Sequence, residues 1–257
     1  MMKKPSPQQL TVIHSEKISP NMRRITLHDN VLENLPKDCD GSYIKLLFNQ
    51  SGGTDLSSLK EGERPVMRTY TIRKFDAERR TVEVDFVCHL TQDLQCGFAA
   101  RWAMNVTVGE TITVAGPGNI QDMNTEVDWF FMVADMTALP ALSAKIQKLP
   151  NNAKGYAVIK IIEKADIQPL KAPDNFRVIW LTGDAPLASN VKSLDWLEGT
   201  ASVWTACEFE SMRELRQYFR NDKEVPKENI YISSYWKQGV SEDGHKVIKQ
   251  QDAKEYS

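Results

Sequence analysis

The chain has 257 residues, 41% of them hydrophobic and 26% charged, with 34 acidic against 32 basic side chains for a net charge of −2. That length suits one large or two modest domains, each able to bury a core, and the near-neutral balance removes the electrostatic footprint of a general nucleic-acid binder. No apolar run approaches the roughly 18 to 20 residues of a membrane span, residues 1–9 are polar, and Cys39, Cys88, Cys96 and Cys207 form neither a CxxC pair nor a Cys/His ligand spacing, so a cytoplasmic protein with reduced thiols, no metal site and no membrane contact is expected.

The first half reads as six short strands, at 11–18, 23–27, 43–48, 67–75, 81–88 and 111–115. Thr81-Val82-Glu83-Val84-Asp85-Phe86 alternates polar and apolar residues at period two, the pattern of a strand buried on one face. Six such strands predict a small antiparallel β-barrel, with one helix over 97–104. After Gly116-Pro117-Gly118 the texture changes to compact apolar runs at 129–134, 156–162, 178–181, 202–206 and 230–235, suited to strands covered on both faces. Helical patterns at 138–149 and 211–220 lie between them, the second with Met212, Leu215 and Phe219 on one stripe. Strand alternating with helix predicts an α/β domain with a doubly wound parallel sheet. The polar segment 119–128 is the expected boundary, giving a barrel domain of 1–120 and an α/β domain of 121–257.

Two stretches can carry chemistry. In Arg68-Thr69-Tyr70-Thr71-Ile72-Arg73 a guanidinium can grip a diphosphate, a tyrosine offers a flat face to an aromatic ring, and a threonine can hydrogen-bond a ring nitrogen. On a strand, Arg68, Tyr70 and Ile72 share one face and Thr69, Thr71 and Arg73 the other, so a ligand has to wrap an edge or an end; a half-exposed strand with salt-bridging arginines gives the same pattern. The second is Asp85-Phe86-Val87-Cys88-His89-Leu90 followed by Gly97-Phe98-Ala99-Ala100-Arg101-Trp102, where a glycine and small residues open a helix whose N–H groups can cradle a phosphate. A structural histidine and a core tryptophan would look the same. The chain has no G-x-G-x-x-G, no G-x-x-x-x-G-K-[ST] and no G-x-S-x-G, which leaves dehydrogenase-fingerprint, P-loop and nucleophile-elbow readings without support.

Taken in order, these two stretches, then Ala115-Gly116-Pro117-Gly118, Asp135-Met136-Thr137-Ala138-Leu139-Pro140-Ala141, Trp204-Thr205-Ala206-Cys207-Glu208, Met212-Arg213-Glu214-Leu215-Arg216 and Tyr235-Trp236-Lys237-Gln238-Gly239, resemble the siderophore-interacting proteins. These are flavin-dependent ferric-siderophore reductases of the ferredoxin-reductase superfamily. The resemblance spans nearly the whole chain and implies FAD as cofactor. Arg68 would then contact the diphosphate, Tyr70 would pack on the isoalloxazine, and Thr69 and Thr71 would sit beside it, Thr71 near the N5 edge. Asp85, Phe86, Val87 and His89 would line the flavin and its ribityl or adenosine side, and Gly97, Ala99, Ala100 and Trp102 would form the second diphosphate loop. The family commonly reads G-P-A-S-x-W there; Phe98 and Ala100 replace the proline and serine, which removes a hydroxyl and keeps the backbone donors.

On the nicotinamide side the resemblance implies Asp135, Thr137, Ala138, Glu208, Tyr235 and Trp236. The family's G-D-E-T-A-L-P is here Ala134-Asp135-Met136-Thr137-Ala138-Leu139-Pro140, so a reduced ferredoxin stands beside NAD(P)H as electron donor. For the substrate, an anionic or strongly polar ferric siderophore, the resemblance points to Lys45, Lys237, Lys246 and Lys249 as a basic rim converging with Tyr235 and Trp236. The expected activity is FAD-dependent reduction of siderophore-bound Fe(III), releasing Fe(II), by a monomer with no protein ligand to iron and no catalytic acid or base. A non-catalytic ferric-siderophore carrier and a general NAD(P)H flavin or quinone reductase are the alternatives.

Overall fold

The computed structural model describes residues 7–88, 97–118 and 121–255. The chain folds as two compact units that meet in sequence at residues 120 and 121. Among the described residues, no helix is long and apolar enough to cross a membrane.

The first unit is a seven-stranded antiparallel sheet: β1 (Gln8–Ser19), β2 (Met22–His28), β3 (Tyr43–Phe48), β4 (Val66–Thr71), β5 (Lys74–Asp76), β6 (Thr81–Val87) and β7 (Thr111–Gly118). Its hydrogen-bonded order is β4-β3-β7-β1-β2-β6-β5. The expected count of six is corrected at a single place. The run 67–75, read as one strand, bends after Thr71, so that β4 pairs with β3 while β5 pairs with β6. Ile72 N–H donates to Ser42 and Arg73 N–H to Glu83 across that corner. One bent run thus supplies both ends of the sheet and closes it on itself, which a periodicity of two cannot reveal.

Val82, Val84 and Phe86 fill the interior together with Leu10, Val12, Ile25, Leu27, Leu46 and Ile72. The opposite side of β6 is not left to water as alternation predicts. Asp85 is covered there by Arg24 and Arg73. Helix α1 (Phe98–Asn105) joins β6 to β7 and buries Phe98, Ala99, Ala100 and Ala103. Strand β7 runs three residues past the predicted end, to Gly118, where a Cβ would lie 2.2 Å from the Tyr43 ring. Only glycine leaves room for that contact.

The second unit is a five-stranded parallel sheet of β8 (Trp129–Asp135), β9 (Gly155–Ile161), β10 (Phe176–Thr182), β11 (Ala201–Glu208) and β12 (Ile230–Trp236), in the order β10-β9-β8-β11-β12. Every residue of β8 is buried, as a central strand with both faces covered requires. Trp129, Phe131, Val133 and Val203 pack on one face against residues of α3 (Leu187–Lys192) and α4 (Phe209–Gln217). Helix α2 (Leu139–Gln147) follows β8, and α5 (Glu242–Glu255) ends the described chain. Between β9 and β10 only the single turn Lys164–Asp166 replaces the helix of a full winding.

Candidate functional site

In the first unit the strand and helix signals come together. Arg68 on β4 is only 8% exposed, and its guanidinium carbon lies 5.6 Å from the Phe98 ring centre at the start of α1. Arg101, one turn along, sits 5.4 Å from the same ring. Helix α1 begins at Gly97, whose φ of 71° is left-handed, and no side chain among the described residues caps its first amides. Two guanidinium groups and uncapped helix N–H donors make a concentrated anion site. Gly52 shapes its flank, because a Cβ there would come 2.7 Å from Phe98.

Beside this cluster Tyr70 packs on Phe86 at 4.4 Å, and Phe86 in turn meets Trp102 edge-on at 5.6 Å. Phe86 is fully buried and so supports Tyr70 from behind. Trp102 carries a buried Nε1–H with no acceptor among the described residues. A donor so placed calls for an acceptor from a ligand or water. Thr71 is buried at the end of β4 and Thr69 is exposed, opposite Lys45 of β3. Val87 is half-buried, and His89 lies outside the described residues.

Asp85 has a different environment from the one a flavin contact implies. Arg24 donates Nε and Nη2 to its two oxygens at 2.7 and 2.9 Å, and Arg73 Nε approaches at 3.4 Å. Its charge is spent on this ion-pair hub across β2, the β4–β5 corner and β6. The donor set around Arg68, Arg101, Tyr70, Trp102 and the α1 amides fits a flavin dinucleotide, with cationic groups for the diphosphate and a flat aromatic for the ring system.

In the second unit the expected nicotinamide-side residues gather at the carboxyl end of β8, β11 and β12, where the strand order reverses. The Asp135 carboxylate accepts from Thr137 N–H at 2.9 Å, Thr137 Oγ1 and Trp236 Nε1, the last at 2.7 Å. Burial pushes the Asp135 pKa up against these hydrogen bonds. Ala138 caps α2 through backbone alone, and Pro140 in its first turn has no N–H to give. Glu208 caps α4 by accepting from Glu210 and Ser211 N–H, and also accepts from Gln238 N–H. Burial and the neighbouring Tyr231 push the Tyr235 phenol well above its usual range.

The basic residues divide. Lys237 pairs with Glu210 and lies over the Phe209 ring at 4.6 Å. Lys246 pairs with Glu242 and Asp243 at 3.4 and 3.2 Å. Both charges are matched, Lys246 by carboxylates one turn back on its own helix and Lys237 by Glu210 of α4, 27 positions earlier. Lys45 makes no ion pair among the described residues. Lys249 donates to Ser233 Oγ at 2.6 Å and to the Ser234 carbonyl at 3.1 Å. Its side chain is exposed as a whole, yet the ammonium is tucked against β12, and this desolvation lowers its pKa.

Sequence reasoning missed His245. It is buried at the start of α5, with Nε2 2.8 Å from Ser234 Oγ and its ring edge-on to Phe209. Burial, then the positive charge of Lys249, lowers its pKa from 6.5 to about 4; Lys237 and Lys246 add to the effect and Glu208 opposes it. The native ring therefore stays neutral while the unfolded chain takes up a proton below 6.5. Its contribution to stability is complete above pH 6.5 and is lost as pH falls toward 4. Urea unfolding of the wild type is expected to weaken across that window, and His245→Gln is expected to flatten the slope by up to one proton.

Residues 11–121 match the family described as siderophore-interacting FAD-binding domain, and residues 127–239 match that described as siderophore-interacting protein. The ferric vibriobactin reductase ViuB of Vibrio cholerae is 30% identical over 254 residues, covering 93% of this chain and 92% of the relative. The NADPH-dependent ferric-chelate reductase of Escherichia coli is 24% identical, covering 89% and 92%. The crystal structure of the siderophore-interacting protein SipS from Aeromonas hydrophila superposes with a TM-score of 0.84 at 30% identity, over 96% of this chain and 98% of that one. The chain belongs to the siderophore-interacting protein family, and its first half is that family's FAD-binding domain.

Proposed function

We propose that this protein is an FAD-dependent reductase of ferric siderophores that releases Fe(II) in the cytoplasm. The observation that carries the reading is the Arg68–Phe98–Arg101 cluster at the uncapped start of α1, inside a domain that matches the FAD-binding family model. Relatives named as ferric reductases support the reaction class. When bound, FAD supplies the conversion between a donor's electron pair and single electrons for iron. The protein's part is to bind and orient. Arg68, Arg101 and the α1 amides hold the diphosphate, Tyr70 backed by Phe86 packs on the ring, and Trp102 offers its indole N–H. No group of the chain needs to ligate iron. Hard oxygen donors hold the more highly charged Fe(III) more tightly, so reduction itself loosens the chelate.

Lys45 in the first unit and, separately, Lys249 in the second have no carboxylate at ion-pair distance among the described residues, and each is a cation open to an anionic chelate. Lys45→Ala is expected to raise the half-saturating concentration of an anionic ferric chelate several-fold at low salt and less at high salt. Lys237→Ala, whose ammonium already faces Glu210, is expected to change it little. Chelate-dependent reoxidation rates across a salt series check both.

A protein donor such as reduced ferredoxin has a specific point in its favour over a pyridine nucleotide. At the start of α2 the Asp135 carboxylate already takes the Thr137 N–H, and Pro140 lacks a donor, so a phosphate there meets negative charge and few amides. The E. coli relative, named as NADPH-dependent, keeps NADPH in play. Visible absorbance in one anaerobic cuvette, with NADPH added and then a ferric siderophore, tests the proposal. Bleaching by NADPH and recovery on adding the chelate establishes the reductase with that donor. Bleaching only by a chemical reductant, with recovery on the chelate, keeps the reductase and assigns a protein donor. A protein that neither contains nor binds flavin overturns the reading in favour of a carrier.

A further inference from the structure

The last helix is attached to its sheet in an unusual way. Of the residues of α5, His245 and Asp252 are the buried ones, Val247 is 54% exposed, and Ile248 reaches the core only in part. The face it turns inward, His245 and Asp252 with Ile248 in part, is mostly polar, and Lys249, exposed along its stem, returns its ammonium to β12. Arg216 of α4 donates Nη1 and Nη2 to the two Asp252 oxygens at 2.6 and 2.7 Å, a bidentate pair with both side chains about a tenth exposed. Arg213 Nε adds a second cation at 3.5 Å. One turn before Lys249, His245 pairs with Ser234. The lysine is therefore fixed from both sides along its helix.

An apolar helix face can slide on its support, whereas a fork-to-fork ion pair has one register. That matters for a lysine, whose flexible four-carbon stem has many rotamers when unrestrained. With α5 locked, the Lys249 ammonium spends two N–H groups on Ser233 Oγ and the Ser234 carbonyl and has no carboxylate within ion-pair distance among the described residues. Lys237 and Lys246, by contrast, face neighbouring carboxylates.

We infer that Asp252 is a positioning residue, whose ion pair with Arg216 locks α5 and holds the Lys249 ammonium in place for an anionic ferric chelate. This rests on the reductase reading above and adds a selectivity to it. Chelates of high negative charge depend on the lock, and neutral ones do not.

The test uses dithionite-reduced holoenzyme, mixed anaerobically with ferric tris-catecholate or with neutral ferric tris-acetohydroxamate, following the return of flavin absorbance. Asp252→Asn is expected to raise the half-saturating concentration of the tris-catecholate about tenfold, leave its maximal rate within twofold, and leave the neutral chelate unchanged. Lys249→Ala should do the same, and the double variant should be no worse than Lys249→Ala alone, since the two act as a unit. Asp252→Glu should restore most of the loss. Acetylation of Lys249 by acetic anhydride, read by mass spectrometry, should be faster in Asp252→Asn than in wild type, a readout that needs no turnover. Additive effects, equal losses for both chelates, or unchanged acetylation would overturn the positioning role. Reduced wild-type flavin that neither chelate reoxidises would bring down the reductase reading itself.

Discussion

Arg68→Ala is expected to weaken FAD binding by roughly tenfold to a hundredfold, so that the purified protein loses most of its yellow colour. A hydrogen bond to a charged group contributes about 1.5 to 3 kcal/mol, and Arg68 is a buried arginine of β4 whose guanidinium lies over Phe98 at the start of α1. Arg68→Lys should recover only part of the loss, because an ammonium cannot match a diphosphate with a planar fork. Arg101→Ala, on the more open side of the same ring, should cost less. Quenching of FAD fluorescence on titration with apoprotein measures all three, with thermal melting of the apoproteins separating affinity from fold. Full flavin content in a folded Arg68→Ala would remove this residue from the diphosphate site.

Asp85 should behave in the opposite manner. Asp85→Ala is expected to destabilise the first unit by about 1.5 to 3 kcal/mol, the loss of a charge-assisted pair tempered because the half-buried Arg24 and Arg73 keep Glu83 at 3.7 and 3.6 Å, while changing FAD affinity of the folded fraction less than threefold. Its side chain is 2% exposed between Arg24 and Arg73. Arg24→Ala should produce a similar loss, and the double variant should cost less than the sum, because each single change leaves a partner stranded. Guanidinium unfolding of apoprotein and holoprotein reports both quantities. A variant of full stability that has lost FAD would instead return Asp85 to the cofactor site.

Particular elements show how far the residues could be read. The period of two in 81–88 located β6 within a residue, and the unbroken apolar run at 129–134 located β8, because each pattern reports the number of faces a strand buries. The stripe of Met212 and Leu215 located α4. The short α3 had too few turns to show a period. Helix α5 had a polar inward face, which hydrophobic periodicity scores as solvent. His245 escaped notice for the same reason, since its partner Ser234 is remote in sequence and lies on a different element.

The sequence by itself determined the order of two domain types, the position of their boundary near 120, and the family to which the chain belongs. These follow from local patterns and ordered motifs, each carried by a few consecutive residues. It also contained the groups proposed to hold the flavin, since Arg68, Tyr70, Gly97 and Trp102 belong to those motifs. Which charges remain available was settled by folding. Asp85 pairs with Arg24 and Arg73, Lys237 with Glu210, and Asp252 with Arg216. The charge of a side chain is written in the sequence, but its availability depends on what folding brings within a few ångströms, and the Asp85 and Asp252 pairs join residues 61 and 36 positions apart.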